Sequence, residues 1–111
     1  METRKITVPE TPKTLQELMT RDGPIEFTFA KFVTYLLNSC KAFSEDGAGL
    51  RAGVRIEDAL ESTEGCVIRE DDWQRLKTCS VSPGVPYPCT PARAVVPYID
   101  AIEDAVIVRD A

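Results

Sequence analysis

The segment from residue 28 to residue 43 constrains the fold more than any other part of the chain. Its apolar side chains recur at intervals of three and four positions: Phe29, Phe32, Val33, Leu36, Leu37, Cys40 and Phe43. This spacing places all of them on one face of an α-helix. The pattern predicts one helix from Thr28 to Phe43, capped by the Thr28 hydroxyl, whose apolar face forms the centre of the core.

A second helix is predicted from Ala48 to Ser62, and its two sides differ. The side predicted to face the core carries Ala48, Ala52, Ile56, Ala59 and Leu60, and the opposite side carries Arg51, Arg55, Asp58 and Ser62. Gly49 and Gly53 lie beside the core face. Each glycine costs helix stability, but it also lets another backbone approach closely. We expect tight packing of this helix against the preceding one.

A third helix is predicted to begin at three successive acids, Glu70, Asp71 and Asp72. Carboxylates at a helix N-terminus cap free amides and interact favourably with the helix dipole, so we interpret them as structural. A metal site is the alternative, although successive helical residues do not converge on one point. Trp73, Leu76 and Ser80 share one face of this helix, and Cys66 to Arg69 before it is predicted to be a short strand.

The region from residue 82 to residue 91 holds four prolines and is predicted to be a stiff, polyproline-like connection that presents Tyr87. It is either a recognition loop or a connection packed on the core. After it, Thr90 suits the N-cap of a last helix whose apolar positions are Ala92, Val95, Val96, Ile99, Ile102 and Val106. Pro97 either kinks this helix or starts it. Val106 to Val108 is β-branched and suits a strand.

The N-terminal residues 1–14 are predicted to be an arm, with a short edge strand at Lys5 to Val8, followed by a single globular domain from residue 15 to residue 111. Thr14 is suited to cap a short helix through Leu15, Leu18 and Met19, which ends in a turn at residues 22–24. The predicted fold class is therefore α+β and mainly helical, with about four helices and two to four short edge strands.

Composition limits the partners and the compartment. The chain has 111 residues, 13 Lys and Arg against 18 Asp and Glu, and a net charge of −5. Its cations do not cluster, so we expect neither nucleic acid nor a membrane surface as a primary partner. No N-terminal signal segment is evident, and the four cysteines form no Cys-x-x-Cys pair. We therefore expect a cytoplasmic protein with reduced thiols and with Cys40 in the core. Two disulfides are the alternative, because the number of cysteines is even.

The sequence offers little for catalysis. It has no histidine, the usual base beside a serine or cysteine nucleophile, and no glycine-rich phosphate loop of known spacing. We therefore predict no catalytic residues, no cofactor and no metal, and a protein that is not an enzyme.

Protein contact is the function that the remaining features favour. Arginine, tyrosine and tryptophan contribute most of the binding energy at protein interfaces. The candidate interaction residues are Arg51, Arg55, Trp73 and Tyr87. They predict a small protein-binding accessory protein, whose partner is another protein or a second copy of itself.

The run Gly47 to Glu61 (GAGLRAGVRIEDALE), the segment Glu70-Asp71-Asp72-Trp73 and the late Pro-Tyr-Pro and Pro-Ala-Arg segments resemble small accessory proteins encoded by bacteriophages and prophages. The resemblance implies a role in viral assembly or host modulation, in the host cytoplasm. No functional residue is assigned from this resemblance. Two alternatives remain: a virion or tail-assembly component that forms a homo-oligomer, and a small-ligand binder or enzyme that uses carboxylates with Arg51 and Arg55.

Overall fold

The N-terminal segment forms the middle strand of an antiparallel sheet. In the computed structural model, which describes residues 2–11, 18–20, 23–62, 65–82, 84 and 92–109, strand β1 (Glu2–Ile6) lies between β4 (Cys66–Arg69) and β5 (Val106–Arg109). Ile6 pairs with Cys66, and Lys5 pairs with both Val67 and Val106. Three distant parts of the chain therefore meet in one sheet.

The predicted N-terminal arm is wrong for residues 2–6, and so is the edge strand at Lys5 to Val8. Strand side chains alternate between two faces, so Glu2, Arg4 and Ile6 of β1 share one face, and Ile6 is its one apolar residue. Ile6 is 2% exposed and belongs to the core. Ile6 is the single apolar residue of this charged five-residue strand, so the sequence gives almost no sign that the strand contributes to the core.

The predicted helix from Thr28 to Phe43 is divided at Cys40. Helix α1 spans Phe29–Ser39, Cys40 has extended backbone (φ −86°, ψ 136°), and a single turn, α2, spans Lys41–Ser44. The Thr28 hydroxyl accepts a hydrogen bond from the Lys31 amide at 3.3 Å, which confirms the predicted cap. All seven apolar residues of the predicted face are buried. The break leaves the Ala42 carbonyl oxygen free to accept a hydrogen bond from Arg75 at 2.5 Å.

Helix α3 (Gly47–Glu61) begins one residue earlier than predicted, because Asp46 is its cap and accepts a hydrogen bond from the Gly49 amide at 2.7 Å. The predicted close approach occurs at Gly49. A β-carbon there would collide with the Ala42 carbonyl oxygen and lie 3.1 Å from the Phe43 Cα. A β-carbon at Gly53 would have nothing within 4 Å, so close backbone approach does not account for the glycine there.

Helix α4 (Glu70–Val81) follows β4 directly, as predicted, and buries Trp73, Leu76 and Ser80. Helix α5 (Ala92–Glu103) contains Pro97, so the alternative start at Pro97 is wrong. Pro97 itself is exposed, as is Val96, while Tyr98 is fully buried and donates a hydrogen bond to the Phe27 carbonyl oxygen at 2.6 Å.

Two short strands precede the first helix. Strand β2 (Leu18–Thr20) pairs antiparallel with β3 (Gly23–Ile25), with Thr20 opposite Gly23. The predicted helix is therefore wrong at Leu18 and Met19, and its remaining residues 14–17 lie outside the described residues.

The described residues form five helices and five strands, which confirms the mainly helical α+β fold class. The fifth helix results from the break at Cys40. One core unites these elements, and its largest members come from α1, α2, α5 and β1: Tyr98, Phe29, Phe32, Phe43 and Ile6. Within the part of the chain that the structure describes, no helix is both long and apolar enough to cross a lipid bilayer.

Candidate protein interface

Arg55, one of the four predicted interaction residues, forms an ion pair inside the molecule. Its Nε and Nη2 donate to the two carboxylate oxygens of Asp72, both at 2.8 Å. The Asp72 side chain is 3% exposed and the Arg55 side chain 40%. A bidentate pair with one partner buried fixes the guanidinium on α4, so Arg55 holds two helices together.

Trp73 lies in the core and is 3% exposed. Its indole Nε1 donates a hydrogen bond to the Ile102 carbonyl oxygen at 2.8 Å, and the Arg4 guanidinium stacks 3.8 Å from the ring centroid. Its predicted place at an interface is therefore wrong: these contacts join α4 to α5 and β1, and they leave almost none of the ring to a partner. Tyr87, with the proline-rich segment around it, lies outside the described residues.

The three acids that open α4 each bind a different arginine. Glu70 pairs with Arg4 at 2.6 Å, Asp71 pairs with Arg69 at 3.1 Å, and Asp72 pairs with Arg55. The hydrogen bond from Arg4 lowers the pKa of Glu70 below its usual range. The described residues contain no group of three His, Cys, Asp or Glu side chains that could hold a metal ion. The three carboxylates connect elements of the fold.

The thiols of Cys40, Cys66 and Cys79 are free and buried, and Cys40 belongs to the core as predicted. Burial raises the pKa of Cys66 to about 11 and that of Cys79 to about 12. A thiol with a raised pKa is protonated at neutral pH and is a poor nucleophile. Cys89 lies outside the described residues.

Arg51 remains exposed, on the outer side of α3. Leu50 and Val54 flank it, and each is 58% exposed. Residues four apart on a helix are neighbours on its surface, so the two apolar side chains form one short ridge with the guanidinium beside it. A surface depression of about 380 Å³ is lined by Leu50, Arg51, Val54 and Arg55.

The same side of α3 changes character toward its C-terminal end, where Glu57, Asp58 and Glu61 are exposed. We call the exposed set on this side of the helix the α3 face: Leu50, Arg51, Val54, Glu57, Asp58 and Glu61. Its first half is apolar and cationic, and its second half is anionic. A surface of this kind suits a protein partner with both apolar and charged groups.

The sequence pattern identified Arg51 but not Leu50 or Val54. Those two residues belong neither to the predicted core side nor to the predicted charged side of the helix. The available signal was their spacing of four, which puts two apolar residues beside Arg51 rather than beside Ile56. This spacing makes Leu50 and Val54 a short exposed ridge that a partner can remove from water.

A comparison of the chain with models of protein families finds no match, and comparisons with curated proteins and with solved structures find none either. We therefore infer function from the side chains of this chain and their arrangement.

Proposed function

We propose that the protein is a non-enzymatic accessory protein of the cytoplasm that acts by binding another protein chain through the α3 face. The observation that supports this most directly is the exposure of Leu50 and Val54 next to Arg51. Removing exposed apolar side chains from water lowers the free energy of the complex. An exposed arginine beside them orients the bound partner, because its planar guanidinium binds carboxylates in a fixed geometry.

The free charge of Arg51 points to the chemistry of the partner. The described residues contain ion pairs for Arg4, Arg55 and Arg69, and none for Arg51. A partner that fits the α3 face therefore offers an apolar side chain for Val54, at the centre of the face, and a carboxylate for Arg51. Assembly or host modulation, as in the phage-encoded accessory proteins that the chain resembles, is the form that such binding would take.

Protein binding fits the described residues better than the alternative of an enzyme or ligand binder that uses carboxylates. Glu70, Asp71 and Asp72 already bind arginines of the same chain. Arg55 is engaged by Asp72, so the pair Arg51 and Arg55 does not act as a double cation. The buried thiols are protonated at neutral pH.

The first prediction tests the α3 face as a binding surface. The double variant Leu50→Gln/Val54→Gln removes the apolar ridge but keeps good helix formers in an exposed helix. We expect the tagged wild-type protein to capture a protein chain, either a second chain species or untagged copies of itself, and the double variant to lose it. Binding energy concentrates in a few central residues, so we expect at least a tenfold loss of affinity.

Val81→Gln is the matched control, because Val81 is 54% exposed on a different helix, α4. It should capture the same chain as the wild type. Equal capture by the wild type, the control and the double variant would contradict the proposal. Circular dichroism melts of all three proteins check that each variant is folded.

A further inference from the structure

The α3 face is complementary to itself when one copy is reversed. Arg51 lies before its centre and Asp58 lies after it, on the same flank, within about 60° of Val54 around the helix axis. Val54 lies midway along the helix between the two charges. Glu57 and Leu50 occupy the other flank at matching distances from Val54. Reversing the helix about Val54 therefore exchanges the position of Arg51 with that of Asp58.

We propose that the chain bound at the α3 face is a second copy of this protein, with α3 packed antiparallel to α3 about a two-fold axis near Val54. This deepens the proposed function and rests on it. The two-fold axis places Val54 against Val54 of the second copy, Arg51 against Asp58, and Leu50 against the side chain of Glu57. The two-fold symmetry forms the ion pair twice, because the same face of each copy supplies an arginine to one pair and an aspartate to the other.

The direction of pairing follows from the charges. A parallel pair in register would put Asp58 against Glu57 of the second copy, which opposes like charges, and would put Arg51 against Leu50, which gives it no carboxylate. The antiparallel pair opposes unlike charges and also sets the two helix dipoles in opposite directions.

The size of the contact sets its strength. Helix α3 has 15 residues, so it is about 22 Å long. One face of such a helix covers less than the roughly 800 Å² per partner of a standard stable interface. We therefore expect a weak dimer whose population depends on concentration, with a dissociation constant in the micromolar range or above.

Sedimentation equilibrium of the full chain tests the pairing, with five samples compared: the wild type, two single variants, their mixture and a double variant. Arg51→Asp opposes two carboxylates across the interface, and Asp58→Arg opposes two guanidinium groups. Each single variant should dimerise at least about tenfold more weakly than the wild type, because two attractive pairs become repulsive. An equimolar mixture of the two single variants restores both pairs in a heterodimer. The double variant Arg51→Asp/Asp58→Arg restores them in a homodimer.

Recovery of dimer in the mixture and in the double variant supports the antiparallel pairing and also shows that the single variants are folded. A wild type that is monomeric up to millimolar concentration overturns it, and so does a dimer that neither single variant weakens. If the wild type is monomeric but captures a second chain species that Leu50→Gln/Val54→Gln loses, self-pairing fails and the proposed function stands. If the α3 face captures nothing, both fail.

Discussion

At the scale of single residues, two arginines one helical turn apart have different roles. Arg51 and Arg55 both lie on the outer side of α3, but only Arg55 lies within reach of Asp72. Asp72 is buried and depends on this partner, since a buried carboxylate without a hydrogen-bonded cation is costly. Arg55 therefore stabilises the fold, whereas Arg51 is left exposed for the partner that we propose.

Substitutions of Arg55 and Arg51 separate these two roles. We expect Arg55→Gln to lower the melting temperature by roughly 5–10 °C, because it leaves the Asp72 carboxylate buried without its cation. Arg51→Gln, the matched control in the same helix, should change it by less than about 2 °C. Melts at low protein concentration, where any dimer is dissociated, make the comparison. Equal effects of the two substitutions would contradict the assignment.

The difference between the two arginines was not predictable from the sequence. Helical spacing predicts one charged side for α3 and places Arg51 and Arg55 on it together. The distinction depends on where α4 crosses α3, which brings a residue seventeen positions later against Arg55. Trp73 was misassigned for a related reason. Its residue type is common both in cores and at interfaces, and only the contacts with Arg4 and Ile102 decide between them.

At the scale of elements, the contact between α2 and α3 depends on the absence of a side chain at Gly49. The β-carbon of an alanine there would meet the Ala42 carbonyl oxygen, which is backbone and cannot rotate away. The two elements would have to separate, although Phe43 of α2 is buried in the core. Steric fit at one residue thus fixes the packing of two helices.

The third group of variants tests that packing with two glycines of one helix. We expect Gly49→Ala to lower the free energy of unfolding by about 2 kcal/mol, the cost typical of overpacking. Gly53→Ala should raise it by about 0.5–1 kcal/mol, because alanine is the better helix former and nothing lies within 4 Å of its β-carbon. Urea denaturation of both variants measures the two values. Stabilisation by Gly49→Ala would show that the contact with Ala42 is not tight.

Elements with a strong local pattern were predicted well. The apolar face of α1, the strand Cys66–Arg69 and the start of α4 all follow from periodicity and capping residues. The break at Cys40 does not, because it serves the contacts of Ala42 with Gly49 and Arg75 in other helices. The central position of β1 is equally hidden, since strand pairing over a hundred residues leaves no trace in local periodicity.

At the scale of the whole molecule, β1 and Arg4 unite the two ends of the chain with its middle. Arg4 binds Glu70 at the start of α4, donates to the Ala105 carbonyl oxygen at 3.0 Å and stacks on Trp73. The sheet joins the same regions through backbone pairing. We therefore expect the described elements to unfold together in one cooperative transition.

Buried thiols in separate elements make that transition sensitive to alkaline pH. Burial holds the pKa of Cys66 at about 11 and that of Cys79 at about 12, above the ordinary value of 9.0. Below pH 9 the thiols are protonated whether the chain is folded or unfolded, so their contribution to stability is complete. Above pH 9 the unfolded chain loses these protons and the folded chain keeps them, so stability falls as pH rises toward 11 and 12.

The fourth prediction follows from this fall in stability with rising pH. Under reducing conditions, we expect the urea midpoint of the wild type to fall steadily from pH 9 to pH 11. The double variant Cys66→Ala/Cys79→Ala should start from a lower midpoint, because it leaves space in the core, but its midpoint should fall less steeply over the same range. Lysine and tyrosine ionisation is common to both proteins and cancels in the difference. Parallel slopes would mean that these thiols ionise equally well in the folded and unfolded chain, contrary to their burial in the core.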